Sequence, residues 1–316
     1  MKSIGVAAFA TTPPHPDQHR EAKKGRSVKA QRFHYVRPDS LEQAIGLLAE
    51  HGDEARILAG GQSLMPTLNM RLSQPKVLID INRIDALKGI SIDGGMVSIG
   101  ALTRHVEVIN SPLIASHLPL IAEAMPHVAH VAVRNRGTFG GSIALADPAG
   151  ELPACVLALA ATVVLESVRG RRAIAADDFF TGLYETARAS DEILVEVLLP
   201  AQLPADVSVF MELARRHGDF ALAGIACRAR ITRHVMSDAR LVYFGSEARP
   251  MLALHAMAAV NGKAYSPSVG AAAAAALQQD LDPIANAFGS AALKLHLQRV
   301  LTGRALDTAW RRAHLQ

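Results

Sequence analysis

The sequence predicts an α+β protein of two domains preceded by a tail, and three observations carry that reading. Apolar periodicity is missing from Met1 to about Gln31 and begins at Phe33-His34-Tyr35. From there to Pro200, short helical and strand patterns alternate and are interrupted by two glycine-rich stretches. Beyond Gln202-Leu203-Pro204-Ala205-Asp206, read as a linker, strands come first and helices after. That order marks a small antiparallel sheet with helices added to it. The expected divisions are a flexible extension over 1–31, a first domain over 32–205 and a C-terminal domain over 206–316. A chain of 316 residues, 50% hydrophobic and 20% charged, is long enough for two cores.

The elements follow in order. Ser40 ahead of Leu41, Ala44, Ile45, Leu47 and Leu48 is an N-cap before an amphipathic helix, which Gly52 ends. Arg56-Ile57-Leu58-Ala59 and Lys76-Val77-Leu78-Ile79-Asp80 read as strands. Asp93-Gly94-Gly95-Met96 has hairpin turn chemistry between Ile90-Ser91-Ile92 and Val97-Ser98-Ile99. Helices are expected over 103–109, 118–125 and 151–159, a loop over 134–142, and strands over 162–165 and 192–199. The second domain should hold strands over 207–213, 221–231 and 239–244, then helices over 251–260, 268–279 and 288–301.

Composition removes several functions. The net charge is +4, with basic clusters at Lys23-Lys24-Gly25-Arg26 and Arg311-Arg312 near the ends, where they are expected to be solvated. Aromatics make up only 4%, so a basic face with stacking platforms for nucleic acid is not expected. Cys155 and Cys227 are too few for an iron–sulfur cluster and lack zinc spacing, so they read as buried small side chains in a reducing cytosol. No metal site is expected, since His127-Val128-Ala129-His130 lacks the Glu of an H-E-x-x-H pattern. No apolar signal core is evident, and the longest apolar run, 152–165, contains Pro153 and cannot span a bilayer. A cytoplasmic location without a membrane span follows as the expectation.

Two stretches carry chemistry. Leu58-Ala59-Gly60-Gly61-Gln62-Ser63-Leu64-Met65-Pro66 runs from a strand through two glycines into a helix start. Glycine permits a positive φ and close approach of a ligand to the backbone, and a helix N-terminus offers free N–H donors to an anion. Arg134-Asn135-Arg136-Gly137-Thr138-Phe139-Gly140-Gly141-Ser142 combines glycines, hydroxyls and arginines in the same spirit. Each alone is also compatible with an ordinary turn or a tight crossover; two together favour a dinucleotide. There is no G-x-G-x-x-G and no glycine loop followed by Lys-Ser or Lys-Thr, so neither a Rossmann site nor a P-loop is supported. Gly140-Gly141-Ser142-Ile143-Ala144 lacks the last glycine and the core strand of a hydrolase nucleophile elbow.

These two stretches closely resemble the FAD loops of the molybdenum hydroxylase flavoprotein subunits, the group of the carbon monoxide dehydrogenase medium subunit and the xanthine dehydrogenase flavin domain. The resemblance continues through Ala146-Asp147-Pro148, Glu151-Leu152-Pro153-Ala154, Asp178-Phe179-Phe180, Asp191-Glu192-Ile193-Leu194 and Arg215-Arg216-His217-Gly218-Asp219-Phe220-Ala221, in the family's order. It implies a two-subdomain FAD-binding fold of the vanillyl-alcohol-oxidase (PCMH) type, then a small C-terminal α+β domain. It also implies that Leu58 to Met65 and Thr138, Phe139, Gly140, Gly141 and Ser142 hold the FAD pyrophosphate and ribityl chain. Glu151 would contact the cofactor, Leu194 would pack beside it, and Asp147 and Asp219 would lie toward the flavin. Tyr184 would stack on the isoalloxazine or, as the plainer expectation, sit in the core.

The implied activity is that of an oxidoreductase: electron transfer from [2Fe-2S] clusters of a small partner subunit, through FAD, to an external acceptor. Substrate oxidation would occur on a molybdopterin large subunit, in a dimer of heterotrimers, with no catalytic acid or base on this chain. Two positions depart from the family pattern: Leu145 stands where a His is frequent, and Glu212 where a Lys is frequent in the strand before the paired arginines. They support one alternative, a flavin-free paralogue acting as a scaffold or maturation partner.

Overall fold

The structure, a computed structural model, describes residues 29–314. Nearly all of the expected extension over 1–31, and with it Lys23 to Arg26, lies outside the described residues. The first unit comprises β1 (His34–Val36), α1 (Leu41–His51), β2 (Ala55–Leu58), α2 (Leu64–Asn69) and β3 (Val77–Asp80). Its sheet is parallel, in the order β1-β3-β2. Ser40 Oγ accepts the Gln43 N–H, and Gly52 ends α1 at φ 50°, as the sequence signals require. Parallel strands joined by helices leave their carboxyl ends, Leu58 and Asp80, on one edge, where ligands of such sheets bind.

The second unit opens with the hairpin β4 (Ile90–Asp93) and β5 (Met96–Gly100), turned by Gly94 and Gly95 at φ 54° and 79°. Short helices follow: α3 (His105–Ile109), α4 (Pro112–His117), α5 (Pro119–Ala124), α6 (Val131–Arg134), α7 (Phe139–Leu145) and α8 (Glu151–Ala158). Then come β6 (Thr162–Ser167), β7 (Gly170–Ala175), α9 (Ala176–Phe179), β8 (Phe180–Gly182), β9 (Glu185–Thr186) and β10 (Ile193–Pro200). The sheet β4-β5-β10-β6-β7 is antiparallel, with β10 at its centre.

The last unit is β11 (Asp206–Leu213), β12 (Ala223–Thr232), β13 (Val235–Phe244), β14 (Met251–Leu252), α10 (Leu254–Val260), β15 (Lys263–Ala264), α11 (Pro267–Asp280) and α12 (Ala291–Ala313). An antiparallel sheet carries the helices, so the mixed α+β fold with a separate C-terminal α+β portion is the architecture present.

Several local expectations are corrected. Residues 134–142 are not a loop throughout: Thr138 caps α7, accepting the Gly141 N–H, and the glycines form its first turn. The stretch 251–260 begins as β14 before α10 starts. The final helix starts at Ala291 and runs to Ala313, well past 301. Asp206 is not linker; it is 1% exposed and accepts from Arg228 at 2.8 Å and Arg230 at 3.0 Å. Arg312 is not a free solvated end, since it pairs with Glu123 on α5. Tyr184 is not in the core; it is 54% exposed.

Candidate functional site

The first glycine stretch folds as its chemistry suggests. Leu58 ends β2, Gly61 takes φ 74°, and the chain enters α2 with Pro66 in the first turn. The backbone N–H groups of Gly60, Gly61, Gln62 and Ser63 form no hydrogen bond with another described residue. Gly60, Gly61 and Gln62 line a cleft of about 360 Å³ whose wall also includes Met65, Asp80, Asn82 and Arg136. A run of free N–H groups beside an arginine is a site for an anion.

The second stretch touches the first. A Cβ on Gly60 would fall on the Arg136 carbonyl and lie 2.9 Å from Gly137 Cα, so only glycine fits where the two backbones cross. Farther along, the groups turn inward. The Phe139 N–H donates to Thr103 O and the Gly140 N–H to Ala101 O, both at 2.9 Å, and the Gly141 N–H serves the Thr138 cap. A Cβ on Gly140 would meet Ala101 Cβ at 2.5 Å, so this glycine lets α7 pack on the end of β5. Gly140 is therefore a packing position whose N–H is already bonded. Ser142 Oγ lies 3.1 Å from Nε2 of the buried His105.

The acidic candidates gather elsewhere. Glu151 opens α8 and is 8% exposed; burial pushes its carboxyl up to about 8, with Glu212 and Asp147 adding to the rise. Burial also raises Asp147, whose Oδ2 accepts from the Tyr184 hydroxyl at 3.2 Å. Glu212, on β11, is held by His127 Nδ1 at 3.1 Å, with its other oxygen buried and unbonded among the described residues. Burial pushes Glu212 up against the pull of His127 and His217. Glu212 thus has a histidine partner within its own fold. Leu194 sits in the core at the bulge of β10, and Asp219 lies in the turn beyond β11, its N–H bonded to Arg216 O.

Sequence reasoning missed Asp80, Asn82, Arg104 and His105. A signal for the first two existed: polar residues directly after the apolar strand Val77-Leu78-Ile79, at the carboxyl edge of a parallel sheet. Nothing local marked the other two. Among the described residues no group of three His, Cys, Asp or Glu could hold a metal, and no helix is long and apolar enough to cross a membrane.

Fold and cradle together give an anion-binding cleft at the carboxyl edge of a parallel sheet, without a Rossmann glycine motif. Residues 31–202 match the family described as FAD binding domain in molybdopterin dehydrogenase, and residues 208–309 match the CO dehydrogenase flavoprotein C-terminal domain. The chain is 40% identical to the 6-hydroxypseudooxynicotine dehydrogenase complex subunit alpha of Paenarthrobacter nicotinovorans, over 90% of this chain and 97% of that protein. It is 38% identical to the carbon monoxide dehydrogenase medium chain of Hydrogenophaga pseudoflava, over 89% and 98% of the two chains. A solved carbon monoxide dehydrogenase from Hydrogenophaga pseudoflava contains a chain that superposes with a TM-score of 0.88 at 40% identity, covering 90% of this chain and 99% of that one. The chain belongs to the FAD-binding medium-subunit family of the molybdenum-containing, carbon monoxide dehydrogenase type; it is an oxidoreductase subunit and its cofactor is FAD.

Proposed function

We propose that this chain is the electron-transfer subunit of a heterotrimeric molybdenum hydroxylase. In this reading a small partner subunit carries [2Fe-2S] clusters, a large one carries molybdopterin, and the complex is a dimer of heterotrimers. FAD supplies two-electron chemistry coupled to one-electron steps, between those clusters and an external acceptor. This chain's part is to bind, orient and tune it. The observation that carries the proposal is the open cradle: four consecutive N–H groups without an acceptor among the described residues, three of them on residues that line a cleft with Arg136 at the carboxyl edge of the parallel strands.

Leu58 to Met65 are the residues proposed to hold the pyrophosphate. Thr138, Phe139 and Gly140 support them from behind, while Gly141 and Ser142 border the ligand. Glu151, Asp147, Leu194 and Asp219 are proposed around the rest of the cofactor, with the buried carboxyl of Glu151 as a hydrogen-bond donor near neutral pH. The domain boundary is proposed at 205/206, where Asp206 begins β11. Location in the cytoplasm is proposed from the two free buried cysteines.

The relatives' printed names range from carbon monoxide to nicotine-derived heterocycles, which fits a substrate chosen by the molybdenum subunit. The test is cofactor content and company. The purified chain should be yellow and release about one FAD per polypeptide on denaturation, as expected for a single built-in cofactor site. It should co-purify with iron–sulfur and molybdenum subunits and hold neither metal alone. A colourless chain that takes up no added FAD would sink the proposal in favour of a scaffold.

A further inference from the structure

We propose that Arg104, acting through Asn82, is the positioning residue that locks the two glycine-rich segments together as one anion cradle. The inference rests on the FAD reading above and deepens it. Arg104 is the residue ahead of α3, its N–H bonded to Glu107 Oε2 at 2.6 Å, and it forms an isolated antiparallel bridge with Thr138. The next residue, His105, donates its N–H to Gly137 O at 3.0 Å. The backbone of Arg104 is thereby fixed against the second segment.

Its guanidinium then reaches two ways. Nη1 donates to the Arg136 carbonyl, and Nη2 donates to Asn82 Oδ1 at 2.5 Å. Asn82 Nδ2 donates onward to Ala59 O at 2.8 Å and to Asp80 Oδ1 at 2.6 Å. One chain of hydrogen bonds thus runs from the carbonyl before Gly137 to the carbonyl before Gly60. With both carbonyls engaged, the free N–H groups that follow Ala59 remain beside the cleft. The Arg136 carbonyl that Arg104 grips is the same one that forbids a Cβ on Gly60, so two independent features converge on one contact. Arginine suits the task because a planar fork can hold two acceptors in fixed directions; an ammonium on a flexible stem cannot. Asn82 suits it because an amide both accepts from Arg104 and donates to Ala59.

The test uses the full chain stripped of FAD, titrated with FAD by flavin fluorescence, with ADP as a competitor that shares the pyrophosphate half. Arg104→Lys should weaken FAD and ADP by the same factor, at least about tenfold, the scale of one lost charge-assisted hydrogen bond. Asn82→Ala removes both the acceptor for Arg104 and the donor to Ala59 O without adding charge to the cleft, and should weaken both ligands similarly. The double variant should bind within about twofold of the weaker single variant, because both lie in one chain of contacts. Thermal melting of the FAD-free variants should stay near wild type. Either single variant binding both ligands as wild type does, or losses that multiply in the double variant, would overturn the latch. If Arg104→Lys does not fold, Asn82→Ala alone decides. A wild-type chain that binds neither FAD nor ADP would overturn the FAD reading and the latch with it, whereas normal binding in the variants removes only the latch.

Discussion

His105 is 3% exposed, with Nε2 3.0 Å from Thr138 O and 3.1 Å from Ser142 Oγ, and no partner among the described residues for Nδ1. Burial, with Arg134 and Arg104 nearby, pushes it down to about 4. A carbonyl beside Nε2 requires a proton there, so the folded protein fixes one neutral tautomer. The unfolded chain has an ordinary imidazole, near 6.5, and takes up a proton first as pH falls. His105 therefore contributes stability that is present above about pH 6.5 and is lost between that value and about pH 4, by about 3 kcal/mol in all. Glu151 acts oppositely: its raised folded value makes stability fall as pH rises from the ordinary carboxylate range toward about 8. Denaturant unfolding of the FAD-free protein from pH 4 to 8, compared with His105→Gln, isolates the histidine. The variant should lose the acid-side slope; an unchanged slope would show that His105 is not the titrating group.

At the scale of the element, α7 shows tertiary packing overriding local propensity. Phe-Gly-Gly-Ser is a poor helix start by propensity. It becomes one because Thr138 caps it, Phe139 is fully buried, and Gly140 brings the turn against Ala101 at the end of β5. Gly140→Ala puts a methyl where Ala101 already stands. It should lower the stability of the FAD-free protein by about 2 kcal/mol or more, as overpacking of a close backbone contact does. Thr138→Ala should cost about 1 kcal/mol, the usual worth of a cap. Chemical denaturation measures both, and a Gly140→Ala protein as stable as wild type would contradict this packing role. Glycine at 140 admits the protein's own strand end, since a Cβ there would meet Ala101.

For the molecule as a whole, three hydrophobic cores divide the work. One lies under the parallel sheet. A large one joins the second sheet to Phe210, Val242 and Phe244 of the last. The third lies between that last sheet and α10, α11 and α12. The far half of α12 belongs to this third core: Ala305, Leu306 and Ala309 are fully buried, and Thr302 Oγ1 lies 2.7 Å from the buried Tyr243 hydroxyl. Ending the chain at Leu301 should cost about 5 kcal/mol, from lost apolar burial plus an orphaned phenol. That is on the scale of a domain's whole stability. The truncated protein should melt early or precipitate. A Leu301-terminated chain with a normal melting curve would mean that the last turns of α12 are dispensable.

By itself the sequence determined the family, the α+β class, the first glycine stretch as a strand-to-helix turn, and the hairpin at Gly94-Gly95. All of these rest on short-range chemistry: which residues tolerate positive φ, cap a helix or alternate in a strand. Only the tertiary structure decided that Arg136 and Gly137 cross over Gly60, that Asn82 and Arg104 tie those segments together, and that Glu212 is met by His127. Each of these joins residues tens of positions apart. Which partner a buried carbonyl, carboxylate or imidazole finds is fixed by how sheets and helices stack, not by its neighbours in the chain.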